Sequence, residues 1–291
     1  MPVIEQLHAR DKDLGGGFTV RRLLPAFPRQ AVGPFVFFDH FGPVTTHPGD
    51  NHDVRPHPHI GLATVTYLFE GAMLHRDSLG SVQRVEPGAI NWMTSGRGIV
   101  HSERMPPDLR QSTHVAHGLQ LWAALPKAYE ESAPGFYHTP AEDIPTVTQS
   151  GTTIRVLIGK AFGKQSPVAT FAPTLYLDVA LSTGAALVLP SHGSAFERAI
   201  YSVDNPLTVD GEQVPAFTLA VLKPGEDASI SATRGARCAI IGGEPLDGAR
   251  FLWWNFVSSR KERIEQAKED WAQQRMGQIA GEHEWIPLPP R

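Results

Sequence analysis

Two short segments carry residues whose types and spacing suit a metal ion. The first is His57-Pro58-His59, within RPHPHIGLATVTYLFEG (55–71). The second is His101-Ser102-Glu103, within RGIVHSER (97–104). Side chains alternate faces along an extended strand, so residues two apart point the same way. His57 and His59 therefore aim together, and so do His101 and Glu103. Pro56 and Pro58 hold their own φ angles and restrict the residues before them. They also remove two amide donors, which suits a strand start or a sheet edge. Ligands that are already aimed lose less entropy when an ion binds. The first pair alone is weak, because thirteen histidines in 291 residues give about 0.6 such pairs by chance. The second pair strengthens the reading. It lies beyond a 42-residue interval that can hold the strands of an antiparallel sheet, and such a sheet can bring both pairs side by side. The proposed set is His57, His59, His101 and Glu103. Four protein ligands on a six-coordinate ion leave two positions open. Mixed imidazole and carboxylate ligation with open positions suits Fe(II) and oxygen chemistry; Mn, Ni, Cu and Zn remain alternative occupants. Structural zinc favours closed, often thiolate-rich sites, and Cys238 is the single cysteine.

The elements that must position these residues are short strands. Strand patterns cover 62–76, 81–86, 89–93, 99–103 and 118–125, and residues 17–39 read as strand, loop, strand. Asp77-Ser78-Leu79-Gly80, Pro87-Gly88 and Thr94-Ser95-Gly96-Arg97-Gly98 supply turns. This spacing implies an antiparallel sandwich or barrel. The Pro-rich stretch 126–150 reads as a linker. Strand patterns resume at 152–159, 174–181, 185–189, 198–203, 217–222 and 236–242, with an Asp-Gly hairpin in VDGEQV (209–214). The end, 258–277, reads as a helix. Ser259 and Glu262 are placed for a capping box, Ile264, Ala267, Trp271 and Met276 form an apolar stripe, and Gly277 suits a stop. That stripe is expected to pack on a barrel. The expected fold is all-β, with an N-terminal barrel over 1–130 and a C-terminal barrel plus the helix over 131–291.

The histidine pairs match cupin motifs in part. His57, His59 and Gly71 fit the first cupin motif, but Thr64 stands where its glutamate belongs and Asn51 where its leading glycine belongs. Gly88, Gly96 and His101 loosely fit the second, with Thr94 in place of proline. Glu103 looks like the glutamate moved to a new address. That relocated pattern resembles the pirin family. The likeness extends over FTVRRLLPAFPRQAVGPFVFFDHFGP (18–43), NWMTSGRGIVHSE (91–103), GLQLWAALP (118–126) and the ending WWNFVSSRKERIEQAKEDW, essentially the whole chain. The resemblance implies two jelly-roll cupin domains, with one metal, usually iron, in the N-terminal barrel. It implies His57, His59, His101 and Glu103 as ligands. It further implies a quercetin 2,3-dioxygenase activity on a small aromatic substrate and O2; for that chemistry Glu103 is the expected general base, taking the proton of a metal-binding hydroxyl. The alternative it carries is a metal-dependent co-regulator acting through a protein partner, and a cupin isomerase or other metal enzyme is a third reading.

The second barrel is expected to lack a metal. LPSHGSAFERAIY (189–201) keeps His192 and Glu197 but has no second histidine, and His192 reads as a loop residue. His114 and His117 are three apart and would face oppositely on a strand. His40 in FFDHFGP reads as a turn residue or a pocket border, Arg97 as a solvated turn arginine, Trp253 and Trp254 as core, and RKER (260–263) as a solvated helix face. A formal charge of -4 and a pI near 6.3 argue against direct nucleic-acid binding. No apolar run reaches a membrane span. The N-terminus lacks a signal pattern, and the lone Cys238, expected to be buried and inert, suits a reducing cytoplasm.

Overall fold

The computed structural model describes residues 3–13 and 19–290, so Gly17 and Phe18 of the first expected strand lie outside the described residues. The chain forms two compact units, and each is assembled from segments that are not contiguous in the sequence. One contains 40–141 with 247–291. The other contains 1–12, 21–39 and 142–246.

In the first unit a four-stranded antiparallel sheet runs Val54–His59, Ile99–Arg104, Met73–Asp77, Val82–Val85. The strands Gly135–Thr139, Ile90–Thr94, Leu62–Glu70 and His114–Ala124 pair in that order in another sheet. Gly61 lets the chain pass from one sheet to the other. Its φ is +68°, and a side chain there would collide with the Val257 carbonyl. Gly96, in the turn before His101, has φ +48° and packs against the Ser132 carbonyl in the same way.

The C-terminal segment completes this unit. A hairpin of Phe251–Trp253 and Phe256–Ser258 leads into the helix Lys261–Ala272. Ile264, Ala267 and Trp271 of the helix bury their side chains with Ile60, Val100, Phe256 and Ile279. The apolar stripe thus packs on the backs of the two strands that carry the histidine pairs. The helix is shorter than 258–277, and its capping box does not form. Arg260 is the N-cap and makes no side-chain cap bond. Ser259 is engaged elsewhere: its Oγ donates to the buried carboxylate of Glu130 at 2.8 Å, and its amide donates to Glu130 at 2.9 Å. Gly277 lies beyond the C-cap, Gln273.

In the second unit a seven-stranded sheet begins with the N-terminal strand Val3–His8, which pairs with Thr218–Leu222. Strands Glu197–Ser202, Ala236–Gly243, Thr174–Leu181, Thr152–Ile158 and Thr146–Gln149 follow. A four-stranded sheet of Ala186–Leu189, Ala228–Ser231, Leu207–Val209 and Glu212–Val214 completes the unit, and the core between contains Ile154, Leu177, Ile200, Cys238 and Ile240. Cys238 is buried, which pushes its thiol pKa up. The Asp-Gly hairpin forms as expected, with positive φ at Asp210 and Gly211. The stretch 126–150 is more than a linker: Gly135–Thr139 and Thr146–Gln149 each join a sheet.

Candidate metal centre

The two histidine pairs meet because their strands are neighbours. Ile99–Arg104 pairs antiparallel with Val54–His59, placing His101 opposite His57 and Ile99 opposite His59. The register then shifts, so that Glu103 faces Val54. One ring nitrogen from each of His57, His59 and His101 lies within 4.8 Å of the others, and this is the metal-competent group among the described residues. Glu103 stands beside it. Its Oε1 is 3.4 Å from His101 Nδ1 and its Oε2 is 4.0 Å from His57 Nε2.

The surroundings decide which atoms face the centre. His57 Nδ1 donates to the Arg55 carbonyl at 2.9 Å, and His59 Nδ1 donates to the Asn255 carbonyl at 3.1 Å. Each bond fixes the tautomer and leaves the Nε2 lone pair for a ligand. Both nitrogens of His101 and Oε2 of Glu103 are buried without hydrogen-bond partners. Buried unpaired polar atoms are costly, and a cation would satisfy one His101 nitrogen and the Glu103 carboxylate. The donor set therefore fits a divalent metal. Burial holds His57 down at about 4 and holds His59 and His101 well below the ordinary imidazole value, so all three are neutral at pH 7, as ligation requires. Burial also pushes metal-free Glu103 up to about 8, opposed by the charge of Arg104.

Several neighbours escaped the sequence reading. His75, on Met73–Asp77, sits opposite Glu103 in the sheet. Its Nε2 lies 3.0 Å from Asp77 Oδ2, its ring stacks on Phe136 at 4.1 Å, and it is 5.4 Å from the His101 ring. The same alternation argument applied to His75-Arg76-Asp77 would have found it. Trp122 packs edge-on against His59 at 5.1 Å. Asn255 acts through its backbone, which no side-chain motif reveals. Thr64, at the glutamate position of the cupin motif, is buried in a strand opposite Met93 and Trp122.

The remaining candidates lie elsewhere. His40 is a fully buried strand residue rather than a turn residue, and its Nε2 is 2.8 Å from His117 Nε2. His114 Nδ1 instead donates to the Ser112 carbonyl at 3.1 Å. His192 Nε2 donates to the Lys160 carbonyl at 3.3 Å, and its ring stacks on Phe196. Arg97 is exposed.

Comparison with known proteins agrees with this architecture. The Pirin profile matches residues 17–123, and the profile for the pirin C-terminal cupin domain matches 176–277. A pirin-like protein of Caulobacter vibrioides is 46% identical over 286 residues, covering 97% of each chain. The chain belongs to the pirin family. Human pirin is 34% identical over 278 residues, covering 92% of this chain and 91% of its own. The crystal structure of a quercetin 2,3-dioxygenase from Acinetobacter baumannii superposes with a TM-score of 0.92 at 34% identity, covering 99% of this chain and 96% of that one. The pirin fold thus supplies two cupin domains and a C-terminal helix, as the strand spacing and the resemblance imply. No helix among the described residues is long and apolar enough to cross a membrane.

Proposed function

We propose that this pirin is an iron-dependent dioxygenase that cleaves flavonols of the quercetin type. The observation that carries the reading is the group of three neutral, co-directed imidazoles with the partnerless Glu103 Oε2 beside them. The likeness to the Acinetobacter baumannii quercetin 2,3-dioxygenase supports it. His57, His59, His101 and Glu103 are the residues that would hold the ion. Bound there, iron supplies Lewis-acid polarisation of a phenolic oxygen and redox chemistry toward O2. His57 and Glu103 retain 6% and 9% exposure while His59 and His101 retain 1%, so substrate approaches from the His57–Glu103 side. Glu103 takes the proton of the flavonol hydroxyl as general base, through a carboxylate oxygen released from the ion. Trp122 and His75 wall the site, the latter fixed by Asp77 and Phe136. Both atoms of O2 enter the opened product as carbon monoxide leaves. The buried thiol of Cys238 suits work in the reducing cytoplasm.

The test is aerobic loss of quercetin absorbance by the iron-loaded protein, with and without Glu103→Gln. We expect turnover by the native chain and a loss of at least about 100-fold in the variant, the scale of a missing general base, with metal content largely kept. Iron bound at one ion per chain without loss of any flavonol would end the dioxygenase reading and leave the metal-dependent protein-partner role of the alternative.

A further inference from the structure

The strands that present the histidines inward are held from outside by one short piece of chain. Alternation along Ile99–Arg104 turns Ser102 and Arg104 to the face opposite His101 and Glu103. Both reach the same carboxylate. Ser102 Oγ donates to Glu282 Oε1 at 2.6 Å, and Arg104 donates to Glu282 Oε2 through Nε at 3.1 Å and through a second, shorter bond. On the adjacent strand, Arg76 lies between His75 and Asp77. It donates to the Ala280 carbonyl at 2.8 Å and faces Glu282 at 3.9 Å. On the other side, the Ile286 amide donates to the carbonyl of Pro56, the residue before His57, at 2.8 Å. Trp271 Nε1 donates to the Ile286 carbonyl at 2.9 Å, anchoring this stretch to the helix. The Glu282 side chain is 5% exposed, although it lies in a segment without regular structure.

We propose that the C-terminal tail is a clamp on the metal centre and that Glu282 is its positioning residue. Glu282 touches no ligand atom. It fixes the backbone between His101 and Glu103 and ties it to the strand of His75, while Ile286 fixes the strand of His57. The ligand spacing is therefore set from two sides. Loss of the carboxylate frees Ser102 and leaves Arg104 to Glu284 and Asp53 alone, so the His101–Glu103 segment samples other positions and the ion is held less tightly. Groups hydrogen-bonded directly to a ligand typically change metal affinity by about 10–100-fold, and Glu282, acting one residue further out through Ser102 and Arg104, is expected at the lower end of that range.

This inference rests on the reading that an ion sits among His57, His59 and His101; it requires neither iron nor a flavonol. The test uses the full chain loaded with Co(II) alone, whose visible bands report ligand geometry. The native chain, Glu282→Ala, Glu282→Gln and Ser102→Ala are compared for the rate of Co(II) loss to excess chelator and for band position. We expect Glu282→Ala to lose Co(II) about tenfold faster with shifted bands, and Glu282→Gln, which keeps an acceptor for Ser102, to recover part of the loss. A Glu282→Ala rate within about twofold of the native one, with superimposable bands, overturns the clamp. Should Glu282→Ala not fold, Ser102→Ala decides: faster release with shifted bands supports the proposal, and an unchanged rate and spectrum overturn it. A native chain that takes up no Co(II) overturns the metal-site reading itself, and the clamp with it.

Discussion

At the scale of single residues, the centre is a group of polar atoms withheld from water. The same burial that prepares neutral imidazoles makes the metal-free chain sensitive to acid. His57 titrates at about 4 in the folded, metal-free protein, against about 6.5 when unfolded. A depressed folded value means that stability is fully present above 6.5 and is lost as pH falls toward 4, with His57 alone contributing on the order of 3 kcal/mol. His59 and His101 act in the same direction. Glu103 acts oppositely, because its value of about 8 lies above that of an unfolded glutamate, so its contribution is present at low pH and lost as pH rises through 8. The three histidines outweigh the one glutamate below 6.5. We therefore expect the urea midpoint of metal-free protein to rise from pH 4.5 to 6.5 and to decline gently towards 8. A flat profile across the acid limb would contradict this account of the site. A bound divalent ion would engage Glu103 and one His101 nitrogen, so loading should raise the thermal midpoint, and a chelator should reverse the gain, as mass action requires. The residue types and alternation of His57-x-His59 and His101-x-Glu103 were legible in the chain. Their convergence was an expectation from an antiparallel sheet and from the pirin resemblance; the register that sets His101 opposite His57 and Glu103 opposite Val54 was not legible, since it depends on a strand pairing between segments 42 residues apart.

At the scale of elements, the C-terminal helix and hairpin do more than end the chain. Trp271 is buried against the core that backs Ile60 and Val100, and its indole holds the Ile286 carbonyl. Each of those apolar residues adjoins a candidate ligand, His59 or His101. Trp271→Ala should cost about 3–5 kcal/mol as a large buried side chain is removed. Calorimetry or denaturant unfolding measures the cost, and a loss below about 1 kcal/mol would mean that the helix packs loosely. The stripe of Ile264, Ala267 and Trp271 was readable from helical periodicity. The cap was not. Ser259 and Glu262 have the right spacing for a capping box, yet the Glu130 carboxylate, buried by tertiary packing, competes for Ser259 and wins. His40 shows the same limit. FFDHFGP resembles a turn locally, but it is a buried strand whose histidine meets His117.

At the scale of the molecule, the two units do not divide the chain at one point. The N-terminal strand Val3–His8 pairs with Thr218–Leu222, while 247–291 joins the unit that holds the histidines. Cutting between 141 and 142 would leave each half without strands or a helix that its core needs. We expect the fragments 1–141 and 142–291, expressed separately, to lack cooperative unfolding. Two independently folded fragments, each with a sharp transition, would refute the interdependence. Chain order suggests two successive barrels, because strand spacing records only neighbours in sequence.

The amino-acid sequence alone specified the donors of the centre, their pairwise aim and the recurrence of short antiparallel strands. These are local properties, determined by residue type, side-chain alternation and the turn chemistry of Gly and Pro. Only the tertiary structure decided that His57 faces His101, that the Asn255 carbonyl sets the His59 tautomer, that His75 stands beside the site, and that residues 279–286 brace its outer face. Each of those facts is a contact between residues far apart in the chain, made when separate strands bury their apolar faces together, and no spacing within a single segment encodes it.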